Sequence, residues 1–164
     1  MVHQTEVELQ AQLIQEHLKK LQSAEKNFIP FVRHVWPDFI SGYHHRKIAK
    51  KFEDIRDGKI KRLIVNMPPR HTKSEFASFL FPAWFVGRKP KSKIMQTTHT
   101  GELAIRFGRK VRNLMDSSEY KKIFPNSFLQ PDSMAAGRWE TAQGGEYFAA
   151  GVGGAITGRG ADLL

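Results

Sequence analysis

A chain of 164 residues, 40% hydrophobic and 26% charged, has enough apolar material for one ordinary globular domain and is excluded from the disordered class. The absence of cysteine removes disulfides, thiol nucleophiles and cysteine metal sites; no stretch approaches a membrane span, and Met1 to Gln15 lack the apolar core of a signal peptide. The net charge of +10 is concentrated between Arg88 and Lys122, where ten Lys/Arg face Glu102, Asp116 and Glu119. Such a window suits a polyanion, most simply nucleic acid, with a solvated helix surface as the plainer alternative.

In chain order, Val7, Ala11, Ile14, Leu18 and Leu21 recur at helical spacing and predict an amphipathic helix over 5–24, docked on the domain or on a partner. Phe28 to Phe39 is aromatic and interrupted by proline, and reads as a packed irregular connector. Tyr43-His44-His45-Arg46 leads into a helix with Ile48, Phe52 and Ile55 on one face, ended by Asp57-Gly58. The β-branched run Leu63-Ile64-Val65 predicts a buried strand over 61–66. A helix from Lys73, apolar nearly all round, follows, and Pro82 is expected to end or kink it. Ile94 to Thr98 predicts a second strand, and Leu103, Phe107, Val111 and Leu114 a helix with Arg106, Arg109 and Lys110 off its seam. Strand–helix–strand–helix order implies a parallel sheet with crossover helices. Beyond it, residues 138–141 and 146–149 flank Gly144-Gly145 as a hairpin, and Ala161 to Leu164 read as the first residues of another buried strand, as in a truncated chain.

The stretch with the most chemistry lies between the expected strand at 61–66 and the helix from Lys73. A phosphate-binding loop has the pattern G-x-x-x-x-G-K-[ST], and here Met67 and Thr72 occupy the glycine positions ahead of Lys73-Ser74. Such a loop curls backbone N–H groups around phosphates at the positive end of a helix; the lysine reaches the β and γ phosphates and the hydroxyl holds magnesium. Threonine at position 72 fits this role if its φ stays below zero. The bland alternative is a proline-rich turn into a core helix. Gly153 to Gly158 with Arg159 mimics the glycine spacing, with arginine for lysine and no helix after it; it reads as a close approach to phosphate or DNA, or as a plain turn. His44, His45, His71 and His99 lack the i, i+4 spacing of a zinc pair, and Trp36, Trp84 and Trp139 read as core.

The segment Asn66 to Glu75 (Asn-Met-Pro-Pro-Arg-His-Thr-Lys-Ser-Glu) resembles the Walker A segment of the large terminase subunit of tailed bacteriophages and prophages. Phe81-Pro-Ala-Trp84, Gly87-Arg-Lys-Pro90, Ser117-Ser-Glu-Tyr120, Ile123-Phe-Pro125 and Gly151 to Gly158 resemble that family in the same order, over roughly residues 36–164.

The resemblance implies an α/β fold of the P-loop NTPase type, RecA-like with an additional strand, whose parallel sheet carries flanking helices. That domain would occupy 36–164, incompletely, behind a helical segment at 1–35. It implies an ATP-driven motor that packages double-stranded viral DNA into a procapsid in the host cytoplasm. The family works as a homo-oligomeric ring with a small terminase subunit and a portal protein, and adds a nuclease domain.

Carried over by position, Pro69, Arg70, His71, Thr72, Lys73, Ser74 and Glu75 would hold ATP. Lys73 would act on the β and γ phosphates as the catalytic lysine, Ser74 would bind Mg2+ through its hydroxyl, and His44 or His45 would contact adenine. The family's Walker B carboxylates would follow Leu164, so the chain is expected to bind nucleotide and to hydrolyse it poorly or not at all. Two other readings remain open: a different P-loop DNA translocase of helicase type, and a non-enzymatic basic DNA-binding module whose Lys-Ser turn is structural.

Overall fold

Three helices open the chain in the computed structural model, which describes residues 2–154, 156 and 158–164. They are α1 (Val2–Lys26), α2 (Phe28–Val35) and α3 (Tyr43–Arg56). After an extended stretch, a π-helical segment (Glu75–Leu80) runs into α4 (Phe81–Arg88). Next come β1 (Lys93–Thr98), α5 (Gly101–Asp116), α6 (Ser118–Ile123), β2 (Leu129–Ala135), β3 (Arg138–Thr141) and β4 (Glu146–Gly151). The strands form one sheet in the order β1-β4-β3-β2. Among the described residues no helix is long and apolar enough to cross a membrane.

This is an α/β arrangement with a mixed sheet: the expected parallel pairing holds for one pair of strands, and the expected hairpin over 138–149 joins the same sheet. Only β1 and β4 run parallel, Lys93 opposite Glu146 through Thr98 opposite Gly151. The β2–β3 and β3–β4 pairs are antiparallel. The reason is connection length: β3 and β4 are joined by a short turn through Gly144 (φ 88°), which only antiparallel neighbours permit, whereas β1 reaches β4 by way of α5, α6 and the hairpin strands.

The expected strand at 61–66 is absent; the segment is extended without a ladder. Leu63 and Val65 are half-buried and Ile64 is 86% exposed, so the side chains alternate as a strand's would. What is missing is a partner edge. A cavity of about 1330 Å3, lined by Leu63, Val65, Ile94 and Leu163 among others, separates this segment from β1. On that side β1 meets Asp162 and Leu163, through a parallel bridge at Ile94, the Met95 N–H donating to the Leu163 carbonyl at 2.8 Å and the Asp162 N–H donating to the Lys93 carbonyl at 2.8 Å.

Two proline readings also change. Residues 28–35 form α2 instead of an irregular connector, because Pro30 sits in the first turn, where a helix has no use for its missing N–H. Pro82 does not end the helix that begins at Lys73. The π-helical segment ahead of it widens the backbone spiral, the Phe81 N–H donating to the Phe76 carbonyl five residues back, and α4 then carries Pro82 near its start.

The helices meet the sheet around an aromatic core. Phe28, fully buried, lies 5.3–6.2 Å from the rings of Phe31, Phe52, Phe76, Phe81 and Trp84. Polar tips of buried aromatics find backbone acceptors: Trp84 Nε1 donates to Ala24, Tyr120 Oη to Ala83 and Trp139 Nε1 to Gly108. Trp84 and Trp139 are core residues as expected, whereas Trp36 is only partly buried. In α1 the seam joins the core only from Leu21 onward, and Val7, Ile14 and Leu18 are more than half exposed. Replacing Phe28 with alanine removes one partner from five ring contacts. Phe28→Ala should cost about 3–5 kcal/mol in urea denaturation; a loss below about 1 kcal/mol would show that this ring does not organise the core.

Candidate phosphate-binding loop

The loop ends where a helix begins. The Phe76 N–H donates to the Thr72 carbonyl at 2.9 Å, which makes Thr72 the residue that enters the helix. The N–H groups of Lys73, Ser74 and Glu75 therefore lie in the first turn, where no intrahelical acceptor exists, at the positive end of the helix dipole. Ser74 is exposed, and Lys73 folds back so that its Nζ donates to the Met67 carbonyl at 3.2 Å across the loop. The structure thus brings Met67, Thr72, Lys73 and Ser74 to one small loop.

Thr72 departs from expectation. Its φ is +59°, and Arg70 has φ +63°, both in the left-handed region that glycine favours. For a β-branched residue this conformation is costly, of order 1–3 kcal/mol, and it persists only where the surroundings impose it. The glycine position of the loop pattern therefore keeps glycine's backbone shape without glycine.

The surroundings are histidines. His45 stands in the first turn of α3, where its Nδ1 accepts the N–H of Gly42, the residue before the helix, at 2.9 Å. Its Nε2 lies 2.8 Å from Thr72 Oγ1 and 3.1 Å from His44 Nε2. The Thr72 hydroxyl donates to the His71 carbonyl at 2.7 Å, and His71 Nδ1 lies 2.9 Å from the Pro69 carbonyl. Phe39 and Phe76 flank the His45 ring, at 4.8 and 5.0 Å between centroids. The resemblance placed His71 in the loop and His44 or His45 beside it, and the structure brings all three together; what sequence reasoning missed is the contact of His45 with Thr72. The available signal was histidine three residues after Gly42 at a helix start. Among the described residues no trio of ligating side chains is set to hold a metal ion.

His44 also lines a shallow cavity of about 300 Å3 bordered by Ile48, Leu63, Ile64 and Asn66, so of the two histidines expected near adenine it is His44 that faces open space beside the loop. Glu75, placed among the loop residues by sequence, turns to the basic helix, where its Oε2 accepts from Lys110 Nζ at 2.6 Å. Asp162 sits at the start of β1, its carboxylate accepting the Lys93 N–H at 2.8 Å.

In the second glycine-rich stretch Gly153 and Gly158 hold positive φ (86° and 82°) in open space, and the packing lies just before them and at Arg159. Any Cβ on Gly151 would strike the backbone of Thr100 and Gly101, so glycine there lets β4 leave the sheet against the entry to α5. Arg159 folds back on β4, its Nη1 donating to Glu146 Oε1 at 2.7 Å and its guanidinium 4.1 Å from the Phe148 ring centroid. Ala155 and Thr157 of that stretch lie outside the described residues.

Much of the basic window is internally engaged: Arg88 pairs with Glu25, Lys121 with Asp116 and Lys122 with Glu119, at 2.5–2.7 Å, while Lys89 and Arg112 donate to backbone carbonyls. Arg106 and Arg109 on α5 are exposed.

Comparison with protein-family models, with curated proteins and with solved structures finds no match to this chain.

Burial, then the neighbouring His44 and His71, holds the His45 imidazole below the ordinary histidine value of 6.5. The unfolded chain therefore binds more protons than the native one, and the His45 contribution to stability is full above pH 6.5 and lost as pH falls below it. Wild type should lose more stability than His45→Gln between pH 7.5 and 5 in urea titrations; equal losses would place the titration elsewhere.

Proposed function

We propose that the loop at 66–75 binds the phosphates of ATP, and that the chain is nucleotide-binding sequence of a DNA-packaging motor of the terminase large-subunit type, a P-loop NTPase of the RecA-like, additional-strand class. The observation that carries the proposal is the left-handed conformation of Thr72 immediately before Lys73-Ser74 at a helix start. The negative φ set as the condition for threonine at this position is not met; what supports the reading is that the backbone there takes the left-handed shape that glycine would supply. The first-turn N–H groups and the Lys73 ammonium, which donates to the Met67 carbonyl, are donors of the kind a triphosphate requires.

In this reading Lys73 binds the β and γ phosphates, Pro69 to Thr72 form the wall of the loop, and His44 lies on the adenine side. Magnesium, when bound, neutralises charge between the β and γ phosphates, and the exposed Ser74 hydroxyl is its ligand. Phosphoryl transfer also needs carboxylates to hold the metal and to orient water. Asp162 is tied to Lys93 at the beginning of β1, five residues before its end at Thr98, and Glu75 is tied to Lys110, so neither is free for those roles. Binding without efficient hydrolysis follows for these 164 residues. Double-stranded DNA is the partner proposed for the exposed Arg106 and Arg109, and a ring of copies with a small subunit and portal, in the host cytoplasm, is the assembly such a motor would join.

Titration with a fluorescent ATP analogue tests the nucleotide reading. Wild type should bind, Lys73→Ala should bind at least tenfold more weakly, and phosphate release should not differ between them. No binding by wild type, or unchanged binding by Lys73→Ala, would leave a basic module with a structural Lys-Ser turn. The DNA reading predicts that Arg106→Ala with Arg109→Ala weakens duplex binding regardless of sequence, lowering the salt slope by roughly 0.9 for each phosphate contact removed. An unchanged slope in filter-binding or anisotropy titrations would clear those arginines of any DNA contact.

A further inference from the structure

We propose that His45 is a positioning residue for the loop: its Nε2–H clamps the Thr72 hydroxyl and so holds Thr72 in the left-handed conformation on which the loop's donor geometry depends. The inference rests on the phosphate-binding reading above and adds what makes that loop possible without glycine.

The hydrogen bonds fix one arrangement. A threonine hydroxyl has a single proton, and at 2.7 Å from the His71 carbonyl that proton is committed there. The 2.8 Å contact between His45 Nε2 and Thr72 Oγ1 must then have histidine as donor. With the ring proton on Nε2, Nδ1 carries a lone pair, and that lone pair accepts the Gly42 N–H. Neutral, Nε2-protonated His45 satisfies the Gly42 and Thr72 contacts, and His44 Nε2, 3.1 Å from the same nitrogen, is then unprotonated and only a second, longer acceptor for that one proton. The ring cannot swing away, because Phe39 and Phe76 flank it and α3 carries its backbone. Phe76 belongs to the first turn of the very helix whose entry Thr72 makes, so the clamp and the loop share a rigid support.

Without the clamp, Thr72 is free to return to negative φ, and the peptide ahead of Lys73 must rotate with it. The N–H groups of the first turn would then no longer converge, although the helix and core persist. A glycine at position 72 would adopt the same φ unaided. The clamp therefore matters because residue 72 is not glycine, and that dependence distinguishes it from ordinary packing by the imidazole.

The test is a cycle on the full chain: wild type, His45→Ala, Thr72→Gly and the double variant, with His45→Gln as the form that retains a side-chain N–H donor. Two measurements are made on each, thermal unfolding without nucleotide and affinity for a fluorescent ATP analogue. His45→Ala should lower Tm by several degrees more in the Thr72 background than in the Thr72→Gly background, and His45→Gln should recover part of the difference. For affinity, His45→Ala should weaken binding at least tenfold beside Thr72 and less than threefold beside Thr72→Gly. Equal effects of His45→Ala in both backgrounds, in Tm, would overturn the clamp and leave a packing role. If the coupling appears in Tm while wild type binds no nucleotide, the clamp stands and the phosphate reading falls. If wild type binds nucleotide and the affinity cycle shows no coupling, the clamp does not shape the donor set and the proposal fails. Should His45→Ala not fold, the comparison of His45→Gln with His45→Phe, which keeps the ring and loses the donor, replaces it under the same criteria.

Discussion

The ring of Phe76 joins the loop at 66–74 to the rest of the molecule, and much else in the structure follows from that junction. Phe76 is almost fully buried, packs 5.4 Å from both Phe28 and Phe39, and lies against His45. Its own N–H closes the first hydrogen bond of the loop helix onto Thr72. A displacement of the loop entry must therefore move a side chain set among three other rings in a core that has little free volume. The strained backbone at Thr72 is one turn from this anchor, which is where strain can be sustained: the opposing free energy comes from burial of aromatic surface that does not depend on the loop at all.

The helix that carries the loop solves a second problem in the same turn. Its sequence is apolar on every side from Phe76 to Val86, so it has to be surrounded, yet it contains Pro82, which an α-helix interior resists by about 3 kcal/mol. Six residues of π-helix ahead of the proline change the register of the backbone bonds before the missing N–H is reached. Burial of Phe81, Trp84 and Phe85 then proceeds without a break in direction. The local departure from α geometry is thus a consequence of keeping one helix continuous between an exposed loop and a buried end.

Periodicity made α1, α3, α5, β1 and the β3–β4 hairpin readable in the sequence, because each repeats at its own period, although α1 buries its apolar seam only from Leu21 onward. The unreadable parts fail for definite reasons. Leu63 to Val65 has the composition of a strand and the alternation of one, but pairing requires an edge, and no pattern within six residues reveals whether an edge is adjacent. Pro30 looks like an interruption until it is known to fall in a first turn. A negative φ at Thr72 was the condition on which threonine suited the loop; the residue instead has φ +59° and meets His45, 27 positions earlier, a neighbour that no local pattern shows. The loop's chemical residues were visible as types and spacing; the side chain that shapes them was not, since a histidine at a helix start carries no mark of what lies across from it.

The same distinction between local pattern and spatial neighbour governs the charge. A net +10 suggests a broad basic surface, yet Arg88, Lys110, Lys121 and Lys122 each stand beside a carboxylate. Such exposed pairs contribute little to stability, about 0–1 kcal/mol, but they remove charge from the long-range field, which is screened within about 10 Å in any case. What remains for a polyanion is spread over exposed cations that stand beside no carboxylate among the described residues, Lys61, Arg62, Lys91 and, on α5, Arg106 and Arg109 being examples. That helix is joined to the loop helix by Lys110, whose ammonium meets Glu75 and lies 4.6 Å from the Phe79 ring centroid. An anion drawn to the exposed face of α5 and a phosphate held at Ser74 would act on opposite sides of this one contact. A signal passing between them would have to travel through packing of Phe79 and Lys110, because an exposed ion pair is too weak to carry it alone.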